Sequence, residues 1–275
     1  MNEVMYSIES FWIAGILLVS MLATIEAGYL FGLRRTKSEN ESSRAHLNAI
    51  LGAILGVLAL LLGFTFSLSL QRFESRSQAV VDEANAIGTT WLRAQLLPSS
   101  VRSDAQDLLR QYVDLRARTA EITLDQEGDL AAELAEAMRI QNALWDHARQ
   151  AAEADANVVT SGLFIQSLND LIDSFGRRDA ELGRHVPELV LMLLYGTFLM
   201  AGLIIGYTAG ATGRRASFAS YILTGLVVLL VFIIVDLDRP RRGLITVSHK
   251  PLTDLQAAVR ADPHGTSAAE RPKPR

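Results

Sequence analysis

Charged and uncharged positions alternate in blocks along this chain. Four blocks are almost free of charge: residues 11–33, 47–70, 189–212 and 216–235, broken only by Glu26 in the first. About 20 apolar residues cross the hydrocarbon core of a bilayer, so each block is predicted to be a membrane span. The second block does not stop where its charge-free part ends. No proline occurs until Pro98, and the single Gly88 costs a helix only about 1 kcal/mol. Past Leu70, Phe73, Val80, Ala84, Ile87 and Trp91 recur at helical spacing. The pattern predicts one helix from Leu47 to Leu97, roughly 75 Å long, that leaves the membrane without a break.

The polar block that follows also reads as helices. Pro98-Ser99-Ser100 is a stop-and-restart signal. Val101, Ala105, Leu108, Tyr112 and Leu115 then share one face of a helix over 101–121. Asp125-Gln126-Glu127-Gly128 predicts a turn. A helix starting near Asp129 is expected to bury Leu130, Leu134, Met138 and Trp145, and a fourth stretch to bury Phe164, Leu168, Leu171 and Phe175. Fold class is therefore all-α: a four-span membrane bundle with an extramembrane helical domain. The predicted division is 1–70 for the first two spans, 71–186 for the helical domain, 187–236 for the last two spans and 237–275 for a tail. The tail carries an apolar segment at Leu252, Leu255 and Val259, then turns polar and Pro-bearing from Asp262, which predicts partial disorder.

Composition narrows the function. There is no cysteine, which excludes disulfides, thiolate metal sites and Cys nucleophiles. A net charge of -4 makes no case for nucleic acid. The five histidines are scattered without ligand spacing, and Asp82 and Glu83 are adjacent, so they splay around their helix instead of sharing a site. No catalytic motif is present; neither an enzyme, a cofactor nor a metal site is expected. The first ten residues hold Glu3 and Glu9 but no Lys or Arg, so the first block is expected to be a retained span and not a signal peptide. The Ala- and Arg-rich style points to a bacterial inner membrane. The Lys and Arg total near the span ends favours a cytoplasmic helical domain, whereas the first span alone, acidic before and basic after, favours the reverse.

Small residues carry the strongest site signal. Gly52, Gly56, Ala59, Gly63 and Ser67 make a small face on the second span, Gly28 and Gly32 on the first, and Gly202, Gly206 and Gly210 on the third. Such faces let helices approach closely in lipid, within one chain or between copies. Gly52, Gly63, Gly202 and Gly206 are read as packing positions. Gly56, Leu60 and Phe64 lie four apart, with Ser67 one turn on; with several copies around an axis this row would form a narrow apolar neck. Glu26 has two readings: an ion or proton site, or a carboxyl paired with a polar neighbour inside the protein.

Several stretches resemble a known family. They are Leu61-Leu62-Gly63-Phe64 with Ser67 and Gln71-Arg72-Phe73-Glu74-Ser75-Arg76; the Glu83–Thr89 segment; Leu168-Asn169-Asp170-Leu171 before His185-Val186-Pro187; and Asp236-Leu237-Asp238-Arg239-Pro240 with Gly243, then Pro251-Leu252-Thr253-Asp254-Leu255. Together they are similar to the bestrophin-like group of bacterial membrane proteins and, more distantly, to bestrophin ion channels. The resemblance implies a homopentamer surrounding a pore lined by the second span, with Gly56, Leu60 and Phe64 at the neck and inorganic ions and membrane lipid as partners. Two departures stand out. Gly56 replaces a bulky residue, which shortens or widens the neck. The acidic run that helps animal bestrophins bind calcium after the fourth span is absent, leaving Asp236 and Asp238 in a post-span motif with Pro240. The competing reading is a membrane-anchored structural or sensory module that conducts nothing.

Overall fold

The computed structural model describes residues 10–35, 41–119, 127–239 and 244–262. Among them the chain forms α1 (Ser10–Arg35), α2 (Glu41–Ala94), α3 (Ser99–Thr119), α4 (Glu127–Ala154), a π-helical turn (Val158–Gly162), α5 (Leu163–Leu182), α6 (Glu188–Ala211), α7 (Phe218–Asp238) and α8 (Lys250–Ala261). α1, α2, α6 and α7 are long and apolar enough to cross a membrane. α2 runs unbroken for 54 residues. The chain divides into two compact units, residues 1–73 with 185–246 and residues 74–184 with 247–275.

In the first unit, glycines set the central contact. Gly28 and Gly32 of α1 face Leu203, Tyr207 and Gly210 of α6, while Gly202, Gly206 and Gly210 face Met21, Ile25 and Tyr29. Numbers rise together on both helices, so the pair is parallel. A Cβ on Gly206 would stand 1.9 Å from the Ile25 carbonyl oxygen, and one on Gly28 would stand 2.1 Å from that of Leu203. The backbones touch, and no larger residue fits. Leu17, Met21, Leu58, Leu62, Phe198, Val231 and Ile234 fill the core shared by all four helices.

The turn from α6 to α7 has a local cause. Gly213, at φ +70°, is the only described residue in the left-handed region. Its N–H donates to Gly210 O and that of Arg214 to Ala209 O, the paired bonds of a Schellman C-cap. Ser217 then caps α7 by accepting the Ser220 N–H, which starts the helix at Phe218, two residues after the predicted 216.

The second unit holds the rest of α2 with α3, α4, α5 and α8. Val80, Ala84, Ile87 and Trp91 are buried, as the periodicity predicts. Thr90 donates to Ser167 O of α5, and Arg93 to Leu163 O. Arg76, also buried, donates to the carbonyls of Glu181 and Arg184, placing a cation at the C-terminal end of α5, where the helix dipole is negative. The predicted stripe on α4 is out of phase. Ala137, Ile140, Leu144, Ala148 and Ala151 are buried, whereas Met138 is exposed. Alanines carry this contact, so ranking positions by side-chain size picks the neighbouring face.

The apolar segment at Leu252, Leu255 and Val259 lies in α8, which packs on α3. Gln256 and Arg260 both bind Asp114, and Asp262 accepts from Trp91 and Gln95. This part of the predicted tail is a structural helix of the second unit. The predicted disorder over 263–275, Asp125-Gln126 of the predicted turn, and the first nine residues lie outside the described residues.

Candidate functional site

α2 presents two different sides within the membrane unit. Leu58, Leu62, Thr65 and Ser69 are buried, and the Thr65 hydroxyl is satisfied by Leu61 O at 2.7 Å. At about 100° per residue these positions fall on one side of the helix. Across from them Gly52, Gly56, Leu60, Gly63, Phe64 and Ser67 are all exposed, Leu60 at 58% and Phe64 at 62%. A Cβ added at Gly52, Gly56 or Gly63 would meet nothing within 4 Å. The row Gly56, Leu60, Phe64, Ser67 is thus continuous and uncovered by the described residues of the chain. It ends at a polar step where the Gln71 amide donates to Ser67 Oγ at 3.3 Å.

The glycines read as packing positions fall into two sets. Gly202 and Gly206 pack against α1 within the chain, but Gly52 and Gly63 have no neighbour to pack against among the described residues. Sequence spacing alone does not separate these cases, because both sets recur every three or four residues.

Glu26 is paired. Arg215, from the turn before α7, places Nη2 3.6 Å from Glu26 Oε1 and stacks on the Tyr29 ring at 5.8 Å. The partner lies far away in sequence, so the carboxylate looks isolated in the sequence and is not isolated in the fold.

Asp236 and Asp238 act on the backbone. Asp236 accepts the N–H groups of Leu244 and Ile245, one on each carboxylate oxygen, at 3.1 and 2.9 Å. Asp238 accepts the Val186 N–H at 2.9 Å, with His185 Nδ1 beside it at 3.9 Å. The two acids therefore tie the end of α7 to the segment after it and to the segment entering α6. Pro240, the third member of the predicted motif, lies outside the described residues. No three His, Cys, Asp or Glu side chains among the described residues come together as metal ligands.

The second unit holds an ionic cluster that sequence reading missed. Glu83 is fully buried and receives Arg116 at 2.6 and 3.3 Å on its two oxygens, together with Arg178. Arg116 also stacks on Phe175 at 4.8 Å, and Arg178 reaches His249 Nδ1 at 3.4 Å. Glu83 stands well past the charge-free part of α2. Burial pushes its pKa up, but the Arg116 and Arg178 guanidiniums outweigh that and hold it below the ordinary carboxylate value. Burial lowers Arg178, whereas Glu83 more than offsets burial at Arg116 and raises it. The nearby Tyr112 phenol, which accepts from Gln141, is raised chiefly by burial. The sequence did hold one signal: Glu83 sits in phase with the buried Val80, Ala84 and Ile87.

The geometry has recognisable relatives. Crystal structures of a bacterial bestrophin homologue from Klebsiella pneumoniae share the fold. One variant aligns with TM-score 0.65 and 16% identity over 88% of this chain and 97% of that one. A second gives 0.65 and 16% over 89% and 94%. A third structure of the homologue gives 0.61 and 17% over 88% and 94%. No curated protein matches the chain. The family model described as the bestrophin-like domain matches residues 19–252, from within the first span through the other three spans to the start of α8. With four helices built to cross a membrane and a family match over most of its length, the chain is a membrane protein that belongs to the bestrophin-like family.

Proposed function

We propose that several copies of this chain surround an axis and that α2 lines an ion-conducting pore between them. The uncovered row of Gly56, Leu60, Phe64 and Ser67 carries this reading. Among the described residues α2 carries three glycines without a neighbour on one side, Gly52, Gly56 and Gly63, against one each on α1, α6 and α7, and such a side suits close approach by something outside the chain. In a ring, Leu60 and Phe64 form a narrow apolar segment that passes ions only when it widens or wets. Gly56 leaves that segment wider at one end. Ser67 and Gln71 follow as a polar step.

Family resemblance supplies the copy number, five, and the assignment of α2 to the pore. The reading places the protein in a bacterial inner membrane with the helical unit on the cytoplasmic side, in keeping with the Lys and Arg balance near the span ends. Inorganic ions are the cargo. The open row carries no charged side chain within the membrane block, so it writes no preference for cations or anions.

Recording from the purified protein in planar bilayers, with native mass spectrometry of the same sample, tests the reading. Discrete currents from a pentamer are the expected result. A pentamer silent under every ionic condition leaves the non-conducting module in place, and a strict monomer in lipid removes the pore altogether.

A further inference from the structure

The contact between α1 and α6 is uneven along its length. Over residues 21–33 and 202–211 the glycines bring the two backbones into contact. Nearer the helix starts the facing residues are large: Leu17 on α1, and Leu194 and Phe198 on α6. Where these large residues take the place of the glycines, α1, α6 and α7 leave a wedge between them. That wedge is a cavity of about 280 Å³. α7 closes one wall with Val227, Val231 and Val235, and Leu58 of α2 contributes to the floor.

Its mouth lies at Ile16, Met192 and Tyr195, the exposed members of the lining. The lining is apolar throughout, with the Tyr195 hydroxyl as its one side-chain polar group. A bound water needs about two to four polar partners, and this lining offers one hydroxyl, so the cavity is not a water site. The four helices cross a membrane, and the medium at such a mouth is hydrocarbon. A second copy seated over this mouth would keep lipid out of it, and the labelling below reads that outcome.

We propose that the wedge between α1, α6 and α7 is a binding site for one acyl chain of a membrane lipid. The chain enters at Ile16 and Met192 and lies against Leu17, Val231 and Phe198, replacing the contacts that an empty cavity forfeits. The site stands apart from the pore reading, because its occupancy is measured without any current.

The test uses the full protein in nanodiscs containing a phospholipid with a photoactivatable diazirine on its acyl chain. After irradiation, mass spectrometry locates the adducts. Adducts are expected to concentrate on the α1 and α6 peptides bearing Ile16, Met192 and Tyr195. Val231→Phe, which fills the wedge, should lower them several-fold. Labelling at Leu226 and Leu229, on the outer face of α7, should not change. Should Val231→Phe fail to assemble, Leu194→Ala carries the test: it enlarges the cavity and should raise lining adducts relative to the same outer-face control. Lining adducts no denser than those at Leu226 and Leu229, or indifferent to both substitutions, overturn the proposal. So does a wild-type protein whose lining is unlabelled while its outer face is labelled.

Discussion

Truncating Leu60 and Phe64 together to Ala separates the two functional readings, and the structure sets the sizes involved. Both side chains are more than half exposed within the chain, at 58% and 62%. Substitutions at such positions shift intrachain stability by about 0.5 kcal/mol or less. Leu62, two residues from each of them, is only 5% exposed and belongs to the four-helix core. Leu62→Ala should cost about 2–5 kcal/mol by transfer and cavity terms. The double variant is therefore expected to fold and express like wild type, while Leu62→Ala loses yield and thermal stability. On the pore reading the double variant then leaks: if the apolar segment adds even ~1.4 kcal/mol to the barrier, removing it raises flux about tenfold. Ion flux from liposomes, with assembly checked by native mass spectrometry, reads this directly. A correctly assembled double variant that leaks no more than wild type, under conditions where flux is measurable, refutes the neck. A double variant as unstable as Leu62→Ala, without added flux, means that the two residues pack against a neighbour and line nothing.

Three further outcomes follow from the packing. Glu83→Ala strands two buried guanidiniums and should cost about 3–5 kcal/mol, read as a drop in the thermal unfolding midpoint, whereas replacing Glu83, Arg116 and Arg178 together by Met should cost far less than the sum of the single changes. Because the folded pKa of Glu83 is depressed, its contribution to stability is complete above the ordinary carboxylate value and is lost as pH falls through the folded value; acid unfolding monitored by Trp fluorescence should shift to higher pH in Glu83→Gln, and an unchanged midpoint would contradict the buried ion pairs. Gly206→Ala should abolish assembly of the membrane unit because its Cβ would collide with the Ile25 carbonyl, while Gly52→Ala, which meets nothing in the chain, should leave the monomer intact and report only on contacts between copies; equal behaviour of the two variants in expression and thermal stability sinks the distinction.

Legibility in the sequence followed the kind of interaction involved. Spans were readable because absence of charge over about 20 residues is a local property: the predicted 189–212 and 216–235 meet Glu188–Ala211 and Phe218–Asp238. The unbroken α2 was readable because breakers are local too. The α4 face was missed because alanine contacts depend on how closely a neighbour approaches, which no single stripe encodes. Glu26 with Arg215, Glu83 with Arg116 and Arg178, and Asp236 with the Leu244 and Ile245 amides were not paired because each partner is brought in by the fold. Among the candidate site residues, spacing could place Gly56, Leu60 and Phe64 on one face but not decide whether that face was covered.

Sorting the resembling motifs by exposure shows what the likeness to bestrophins reports. In the stretch around Leu61–Ser69, Leu62, Thr65 and Ser69 are buried while Gly63, Phe64 and Ser67 are open. In Glu83–Thr89, Glu83, Ala84 and Ile87 are buried while Asn85 and Thr89 are open. Arg76 is spent on the C-terminal carbonyls of α5, and Asp236 and Asp238 are spent on backbone amides. Much of that pattern therefore specifies the scaffold: it is what these helices need to pack, on either functional reading. On the pore reading only the open residues bear on conduction, and of these Gly63, Phe64 and Ser67 stand within the charge-free block. A fold match at 16% identity is what a retained scaffold produces. The functional question narrows to a few side chains on one uncovered side of α2, where a change leaves the single chain standing and alters only what that side meets.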